Sequence, residues 1–577
     1  MSPIDSEEVE DRAPSGSSLR VSIGLLGNRQ RVTLLLLTAG RIAVGLCDLS
    51  VAAAMYWLFL LLQGRPPGHH LWWAPKTVLS GALITTILVV LRGLMDIASA
   101  RAAFRQIQHL HTDFLLRLTD GYTQVQWERF VEWNRSELSA RALQTTREAA
   151  DFYHRCVEMA ANVVIVAVMT AALVYQSLAA ACCLGVAMSL FYAGNRFLVR
   201  EKLQVAASRR EASVRSLQRN LADLFSSGKE IRAYGNQTFF QERIRRQAER
   251  VAVNNLHVVF LPQFARIMAD QGTVLVFLFI VISVEMRQGD LGKLLSILVF
   301  YFVLSRRLLP LISQISFLAS QMDGSYENVK IVDSELRKFR SSRTVELPIR
   351  LPDAGMVMQM IQVSFSYRGG AAILQNVNLY MEDGEAVVLF GASGIGKSSL
   401  LNLIAGVSQP QSGSVRVDRT NIAYVPQEIP LLDDSIRNNL LFGLPDRNDD
   451  ELMRALSIAS LDEFVSAQPL GLDTGVGDNG ALFSGGERQR LGLARAILRG
   501  GRLLLLDEAT SALDEETERQ VLENLISSGR AILLATHRVH ARAIGDRVFR
   551  LEEGSLIEEP RGQVSAGHSS LASVLLN

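Results

Sequence analysis

The chain has 577 residues, a formal charge of +1 and 48% hydrophobic residues, with a mean hydropathy of +0.18. That hydropathy is high for a soluble enzyme and the length excludes a small secreted scaffold, so membrane insertion is the first hypothesis. The charge is uneven, because residues 1–340 carry 38 basic and 28 acidic side chains whereas residues 341–577 carry 21 and 30. Two regions of different character therefore share the chain. Because the chain as a whole is close to neutral, no nucleic-acid partner is expected.

Residues 1–30 are polar and acidic and contain no pattern of a cleavable signal, so we expect a cytoplasmic N-terminal segment. Six apolar segments follow and predict a six-helix transmembrane domain over residues 31–325. These segments cover approximately residues 32–62, 77–100, 157–176, 178–198, 258–284 and 291–320.

The two long polar connections, residues 101–150 and 199–256, are rich in Arg and Lys, whereas the short connections hold few basic residues. The positive-inside rule therefore predicts that both long connections and both termini are cytoplasmic. Their apolar residues recur at helical spacing, which indicates that the membrane helices continue into the cytoplasm. Ala- and Arg-rich usage without targeting signals favours a bacterial inner membrane.

A linker is predicted over residues 326–355, where SSRTVELPIRLPDAG carries Pro, Ser and charge. Residues 356–577 then alternate helical stretches with short apolar runs such as EAVVLF, RLLLLD and AILLAT. Buried strands that alternate with helices are typical of an α/β domain with a mostly parallel sheet.

The first chemical motif is GASGIGKSS, which follows the strand EAVVLF and precedes the helical LLNLIAG. It matches the Gly-x4-Gly-Lys-Ser phosphate loop from Gly391 to Ser398. In such a loop backbone amides face phosphate oxygens, Lys397 supplies a cation to the β- and γ-phosphates, and Ser398 ligates Mg²⁺. ATP and Mg²⁺ are therefore the predicted cofactors. The other predicted nucleotide-binding residues of this loop are Ser393, Gly394, Gly396 and Ser399.

A second nucleotide element is RLLLLDEATSALD. Asp507 ends an apolar strand, where its carboxylate can hold Mg²⁺ through the water shell of the ion. The next residue, Glu508, is predicted to orient and polarise the attacking water.

With these motifs, FSGGERQRLGLARAIL, YVPQE and LLATHR resemble the ATP-binding cassette (ABC) transporter family. The resemblance implies that Ser484, Gly485 and Gly486 cap the γ-phosphate of ATP bound to the phosphate loop of the opposite subunit. It also implies that Gln427 contacts Mg²⁺ and couples to the membrane domain, and that the imidazole of His537 contacts the γ-phosphate.

Two further residues and two departures complete the resemblance. Tyr367 in VSFSYRGG matches the aromatic residue that the family stacks on adenine, and Asp514 in SALD matches the D-loop at the dimer seam. The fifth signature position is Glu487, where Gln is commonest, and the chain between Gly413 and Gln427 is short for an exporter of this family. Neither departure removes a catalytic group.

The resemblance implies an exporter-type half-transporter, with an α-helical six-span membrane domain ahead of one C-terminal α/β P-loop cassette. QVQWERFVEWNRSEL and LADLFSSGKEIRAYGNQTFF look like the intracellular loops whose short helices dock on cassettes. Because one chain cannot close its own nucleotide site, the predicted partner is a second copy of the same chain, within membrane lipid. ATP binding and hydrolysis would switch the membrane cavity from inward- to outward-facing.

Charged residues inside the predicted spans are the only clue to the cargo, because such groups are expensive in lipid. Three Arg–Asp pairs have spacings of seven or four, which puts both members on one helix face, so mutual pairing and cargo binding both stay open. The pairs are Arg41–Asp48, Arg92–Asp96 and Arg266–Asp270. Arg306 and Arg307 have no acidic neighbour in their span and offer charge to an anionic cargo.

LRGLMD, LPQFARIMAD and LSRRLLP resemble, more weakly, the bacterial flippases of lipid-linked oligosaccharides, in which these arginines would meet a pyrophosphate. The expected cargo is thus amphiphilic and anionic. An exporter of peptides or other natural products is an alternative with the same fold. Two alternatives from other classes are an ATP-gated channel or regulatory subunit, which the intact motifs disfavour, and a soluble ABC protein, which the apolar segments disfavour.

Overall fold

A computed structural model of the chain describes residues 22–64, 77–131, 133, 138–139, 141–176, 201–286, 291–342, 351–367 and 370–560. The chain forms two compact units. One comprises residues 1–123 and 134–341, and the other comprises residues 124–133 and 342–577.

The N-terminal part of the chain consists of helices, several of them far longer than the apolar segments they contain. They are α1 (Asn28–Leu62), α2 (Val78–Gln124), α3 (Trp127–Val131), a π-helical turn (Arg141–Thr145), α4 (Thr146–Gln176), α5 (Glu201–Ser226), α6 (Gly228–Tyr234), α7 (Gln237–Met286) and α8 (Leu291–Ser342). The length of α2 confirms that an apolar helix long enough to cross a membrane continues into a polar connection, as the spacing of apolar residues predicted.

Three helical stretches among the described residues are long and apolar enough to cross a membrane: Asn28–Leu62, Val78–Gln124 and Arg141–Tyr175. They contain the first three predicted spans. The fourth, residues 178–198, lies outside the described residues. The fifth and sixth fall within α7 and α8 and stay predictions as spans.

Helices α1, α4 and α8 share a buried apolar cluster that includes Ala52, Met169 and Leu308. Close approach of α1 to α4 requires Gly45, because a methyl group there would lie 2.3 Å from Cγ1 of Ile165. Small residues at helix contacts allow the van der Waals packing that joins helices in lipid, where water supplies no driving force.

The predicted start of the linker at residue 326 is wrong, because α8 continues to Ser342. Val329, Val332 and Phe339 are buried at helical spacing. The ring of Phe339 packs on Tyr122 of α2, with 5.0 Å between ring centroids. This buried stripe keeps the segment helical despite its charged residues.

The C-terminal unit contains two sheets. Their strands are β1 (Met356–Phe365), β2 (Leu374–Glu382), β3 (Ala386–Phe390), β4 (Ser412–Val417), β5 (Ile422–Val425), β6 (Leu503–Asp507), β7 (Ala531–Thr536), β8 (Arg547–Glu552) and β9 (Ser555–Glu559). An antiparallel sheet has the order β2-β1-β4, and a central sheet has the order β5-β6-β7-β3-β8-β9. The central strands are parallel except that β9 is antiparallel to β8, which confirms the predicted α/β fold class.

Helices and short turns connect these strands. They are α9 (Lys397–Ala405), α10 (Ile436–Leu441), α11 (Asp449–Ile458), α12 (Asp462–Ser466), α13 (Gly485–Arg499) and α14 (Glu515–Ser527), with 3₁₀ turns at Arg419–Asn421, Gly471–Asp473, Asp478–Gly480 and His540–Ile544. Helix α9 buries Leu400 and Leu401 in one core with Met358 of β1 and Leu389 of β3. The helix after the phosphate loop is thus fixed between the two sheets.

Strands β3, β6 and β7 are neighbours in the parallel sheet, so their carboxyl ends lie at one edge. The residues that follow them are Gly391, Glu508 and His537. Ligand sites of open α/β sheets form outside the carboxyl ends of the strands. The topology therefore brings together three motifs that are spread along the chain from residue 391 to residue 537.

Residues 124–133, which contain α3, group with the C-terminal unit although they precede it by about two hundred residues. This is the start of QVQWERFVEWNRSEL, the first stretch in which the family resemblance implied a docking helix. The second stretch, LADLFSSGKEIRAYGNQTFF, forms the end of α5, all of α6 and the start of α7 within the first unit.

Candidate functional site

The phosphate loop connects β3 to α9 and depends on two glycines with positive φ. These angles are +79° at Gly394 and +115° at Gly396. A Cβ atom on Gly396 would also lie 2.6 Å from Cγ2 of Ile373, so no side chain fits there. This backbone conformation is the kind that turns successive amides toward an anion.

Lys397 is buried, with 4% of its side chain exposed. Its Nζ donates hydrogen bonds to the carbonyl oxygens of Gly391 at 2.8 Å and Ala392 at 2.9 Å. It also lies 3.5 Å from Oε1 of Glu508. The ammonium group is therefore held between the loop and the predicted catalytic carboxylate.

Ser398 and Asp507 are two of the three predicted metal-binding residues, and the third, Gln427, donates to Glu508. The Ser398 hydroxyl donates to Oδ1 of Asp507 at 3.0 Å, and the Tyr424 hydroxyl donates to Oδ2 at 3.4 Å. Burial raises the pKa of the Asp507 carboxyl above its ordinary value, and the neighbouring Glu508 charge adds to this. Burial, followed by the charge of Asp507, likewise raises the pKa of Tyr424.

The pair of Ser398 and Asp507 fits Mg²⁺, which prefers hard oxygen ligands and is usually held by one or two protein groups together with water and phosphate oxygens. No group of three or more His, Cys, Asp and Glu side chains in the described part of the chain could hold a metal ion. The donor set thus suits a metal ion that arrives with a nucleotide rather than one bound by protein alone.

Glu508 is the centre of the site. Its backbone has φ of +47°, a conformation that costs a non-glycine residue about 1–3 kcal/mol. Three predicted residues surround its carboxylate: Lys397 at 3.5 Å, His537 Nδ1 at 3.4 Å, and Gln427, whose Nε2 donates to Oε2 at 3.2 Å. The structure therefore places one carboxylate among a cation, an amide and an imidazole.

Tyr367 lies beside the phosphate loop. Its hydroxyl is 3.3 Å from Oγ of Ser399, and its ring packs edge-on against Phe365 with 5.0 Å between centroids. The residue is 39% exposed. These two contacts hold the Tyr367 ring beside the phosphate loop while it stays partly exposed.

The signature residues begin α13 with a capping box. The backbone amide of Glu487 donates to Oγ of Ser484 at 3.3 Å, and the Ser484 amide donates to Oε2 of Glu487 at 2.8 Å. Glu487 therefore fulfils the capping role at the position where Gln is commonest. Gly485 and Gly486 follow and line a cleft of about 460 Å³ that also includes Asp514.

Asp514 caps α14 through hydrogen bonds from the backbone amide and hydroxyl of Thr517, at 2.9 and 2.8 Å. These bonds hold the pKa of its carboxyl below the ordinary range. The predicted residues thus form two groups in this unit. One surrounds Glu508, and the other lines the cleft beside the signature helix.

The sequence reasoning missed Gln489, which joins the two groups. Its Nε2 donates to the carbonyl oxygen of Glu508 at 3.4 Å and to Oγ of Ser511 at 3.0 Å, and its Oε1 accepts from the amide of Ala512 at 2.7 Å. The available signal was a glutamine on the buried face of a helix that starts at the signature motif.

The candidate cargo residues Arg41 and Arg92 form ion pairs between helices. Nη1 of Arg41 donates to Oδ1 of Asp96 at 3.1 Å, and Nε of Arg92 donates to Oδ1 of Asp48 at 2.8 Å. The predicted pairing of Arg41 with Asp48 on one helix face is therefore replaced by crossed pairs between α1 and α2.

The second predicted pair, Arg92 and Asp96, does lie together, at 3.8 Å between Nη2 and Oδ2. Glu158 of α4 adds a third carboxylate, 3.7 Å from Nη2 of Arg41. The side chains of Arg266, Arg306 and Arg307 lie outside those that the structure describes.

Comparison with known proteins finds a family match within the C-terminal unit. Residues 374–511 match the family described as ABC transporter. The heterocyst differentiation ATP-binding protein HepA of Nostoc sp. is 31% identical over 349 residues, which are 57% of this chain and 56% of HepA. The ATP-dependent lipid A-core flippase of Burkholderia pseudomallei is 44% identical over 227 residues, 36% of this chain and 38% of that protein.

A further relative, the uncharacterized ABC transporter ATP-binding protein y4gM of Sinorhizobium fredii, is 36% identical over 231 residues. Its match covers 37% of this chain and 39% of that protein. The chain thus matches about two fifths to just over half of the length of these relatives. These matches support the resemblance seen in the motifs, and the family model itself accounts for residues 374–511.

Proposed function

We propose that the chain is an ATP-driven exporter or flippase. Residues 374–511 match the ABC transporter family, and the three helical stretches long and apolar enough to cross a membrane precede them in the chain. It hydrolyses ATP and uses the energy to move an amphiphilic substrate out of the cytoplasm or to the outer leaflet. The observation that carries the proposal is the set of contacts at Glu508, with Lys397, Gln427 and His537 all within 3.5 Å.

Each residue has a role in this chemistry. The amides of the phosphate loop and Lys397 bind the phosphates. Ser398, Gln427 and Asp507 would hold Mg²⁺, which would supply positive charge to the transferred phosphoryl group. The Glu508 carboxylate accepts a hydrogen bond from the attacking water and then its proton. His537 supports the γ-phosphate from the adjacent strand.

We propose a homodimer because the signature residues and the phosphate loop form separate groups in one chain. In a dimer, the amides at the start of α13 would face the γ-phosphate bound by the partner, as helix N-termini do with anions. Asp514 lines the same cleft and would lie at the seam. The proposed location is a bacterial inner membrane with both termini in the cytoplasm.

For the cargo we propose an anionic amphiphile resembling a lipid-linked oligosaccharide. Support comes from relatives named as lipid A-core flippases and from the sequence positions of Arg266, Arg306 and Arg307. Arg41 and Arg92 no longer add support, because both are engaged by carboxylates. An exporter of anionic peptides would suit the same charges.

The test is ATP hydrolysis by the full chain purified in detergent and then reconstituted in liposomes. We expect Mg²⁺-dependent turnover that polyprenyl-pyrophosphate-linked glycans stimulate more than anionic peptides do. Stimulation by peptides alone would reassign the cargo, and an ATP-dependent conductance in a planar bilayer would indicate a channel. Equal turnover by wild type and Glu508→Gln would overturn the catalytic assignment.

A further inference from the structure

Helix α14 carries a buried carboxylate that none of the roles above uses. Glu518 is fully buried, with 0% of its surface exposed. The hydroxyl of Thr510 donates to its Oε1 at 2.5 Å, and Nη1 of Arg538 donates to its Oε2 at 2.6 Å. Nε2 of His540 lies 2.6 Å from the same Oε2. Both carboxylate oxygens therefore have partners from the loops that follow β6 and β7.

Arg538 extends this contact to the D-loop. The same guanidinium donates through Nη1 to the carbonyl oxygen of Leu513 at 2.9 Å and through Nη2 to that of Ser511 at 2.5 Å. Arg538 is also the residue directly after His537. One side chain thus connects the loop after β7, which carries His537, with the backbone between Glu508 and Asp514.

The backbone from Glu508 to Leu513 is held from two directions. Gln489 of the signature helix contacts the backbone of Glu508 and Ala512 and the hydroxyl of Ser511. Arg538 donates to the backbone carbonyl oxygens of Ser511 and Leu513. Such support matters because Glu508 has a positive φ, and strained residues persist only where their surroundings over-determine them.

The chemistry of Glu518 explains why Arg538 stays in place. A buried carboxylate without a partner is strongly unfavourable, so Glu518 fixes the guanidinium at a defined position. The planar fork of arginine can then donate to a carboxylate and two carbonyl oxygens together, which the single ammonium of lysine cannot reproduce. Removal of the Glu518 charge would loosen the guanidinium without touching any group that binds nucleotide.

We propose that Glu518 is a positioning residue for ATP hydrolysis, which acts through Arg538 to set the backbone that carries Glu508 and Asp514. This inference rests on the proposed ATPase function. It predicts an effect on turnover and not on nucleotide affinity, because the phosphate loop and Tyr367 make no hydrogen bond to Glu518 or Arg538 among those described.

The experiment compares steady-state ATP hydrolysis of the full-length wild type, Glu518→Gln, Arg538→Lys and the double variant. Glu518→Gln keeps the shape of the side chain, and Arg538→Lys keeps a positive charge for Glu518. We expect each to lower kcat about tenfold with KM for ATP within about twofold of wild type, because small displacements of catalytic groups reduce rates that strongly. Residues that act as a unit are non-additive, so the double variant should be no slower than about the slower single.

The matched control is Asp383→Asn, which removes an ion pair to Arg502 at 2.6 Å on the exposed surface of the same unit. It should keep the wild-type kcat and KM. Binding of a fluorescent ATP analogue in EDTA measures the folded, nucleotide-competent fraction, to which each kcat is normalised.

Three results would overturn the inference. They are a wild-type kcat in both single variants, a loss of kcat that disappears when kcat is normalised to the nucleotide-competent fraction, and a raised KM with unchanged kcat. If Glu518→Gln fails to fold, Arg538→Lys alone decides by the same criteria. Absence of ATP hydrolysis by the wild type would instead overturn the proposed function.

Discussion

Nε of Arg92 on α2 donates a hydrogen bond to Oδ1 of Asp48 on α1 at 2.8 Å. The side chains are 25% and 15% exposed, so water screens the pair only in part. Together with the bond from Arg41 to Asp96, it joins α1 and α2 by two crossed ion pairs. The charged residues of these two apolar helices therefore join α1 to α2. Because carboxylates engage both arginines, less positive charge is left for a cargo.

Arg92→Ala is expected to destabilise the protein by about 1–3 kcal/mol, because Asp48 and Asp96 both lose their ion pair with Arg92 in a partly buried site. Arg92→Lys, which keeps a positive charge between the two carboxylates, should recover part of this loss. The measurement is thermal unfolding in detergent. Lys330→Ala, which removes an exposed pair to Glu327, is the control and should change stability by less than about 0.5 kcal/mol. Arg92→Ala as stable as wild type would contradict the pairing.

Glu508→Gln should lower kcat for ATP hydrolysis by at least about 100-fold, since general-base catalysis contributes about 10²–10⁴-fold. The amide keeps the size of the side chain, so ATP affinity should change by less than about threefold. Steady-state turnover and binding of an ATP analogue are the two measurements. A parallel loss of binding and turnover would mean that Glu508 supports the nucleotide rather than the attacking water.

Asp507→Asn should stabilise the nucleotide-free protein while it lowers Mg²⁺-dependent ATP hydrolysis by more than about tenfold. Burial raises the pKa of Asp507, so the folded state binds this proton more tightly than the unfolded chain does. Stability from this group is therefore present at acidic pH and is lost as pH rises from the ordinary aspartate pKa through the raised one. The melting temperature of Asp507→Asn in EDTA should exceed that of wild type at pH 7.5, and the difference should shrink as pH falls toward the ordinary aspartate pKa of about 3.9. A difference that stays constant down to that pH would argue against this origin.

Gly396→Ala should abolish ATP binding, with Gly529→Ala as its control. Both glycines have positive φ, of +115° and +72°, so both variants carry backbone strain of about 1–2 kcal/mol. Only at Gly396 would the new methyl group meet a neighbour, at 2.6 Å from Ile373. Gly529→Ala should bind an ATP analogue like wild type after correction for the folded fraction. Similar binding by both variants would show that the conformation of the phosphate loop is adaptable.

The sequence predicted those parts of the fold that depend on local pattern. The runs EAVVLF, RLLLLD and AILLAT became the adjacent strands β3, β6 and β7, because apolar runs between glycine turns form buried parallel strands. Motif residues at the ends of these strands then converge through sheet topology. The pattern of strands and motifs therefore predicted Lys397 and Glu508, whereas Gln427 and His537 were predicted from the family resemblance.

Features that depend on contacts between distant elements were not predicted. Spacing along one helix suggested that Arg41 would pair with Asp48, whereas the close approach of α1 and α2 favours crossed pairs. Glu518 is one of three glutamates in DEETER, a pattern typical of a solvated helix start. Its burial follows from the position of Arg538, which no local pattern reveals.

The grouping of residues 124–133 with residues 342–577 has a consequence for biosynthesis. The short α3 segment leaves the ribosome about two hundred residues before the first strand of its unit, and at about 5–20 residues per second this interval lasts roughly 10–40 s. During that time Trp127 and its neighbours have no finished unit to join, while α2 and α4 on either side can already enter the membrane. The C-terminal unit is therefore completed on a segment that was synthesised long before the rest of it, so its final assembly waits for residues 342–577.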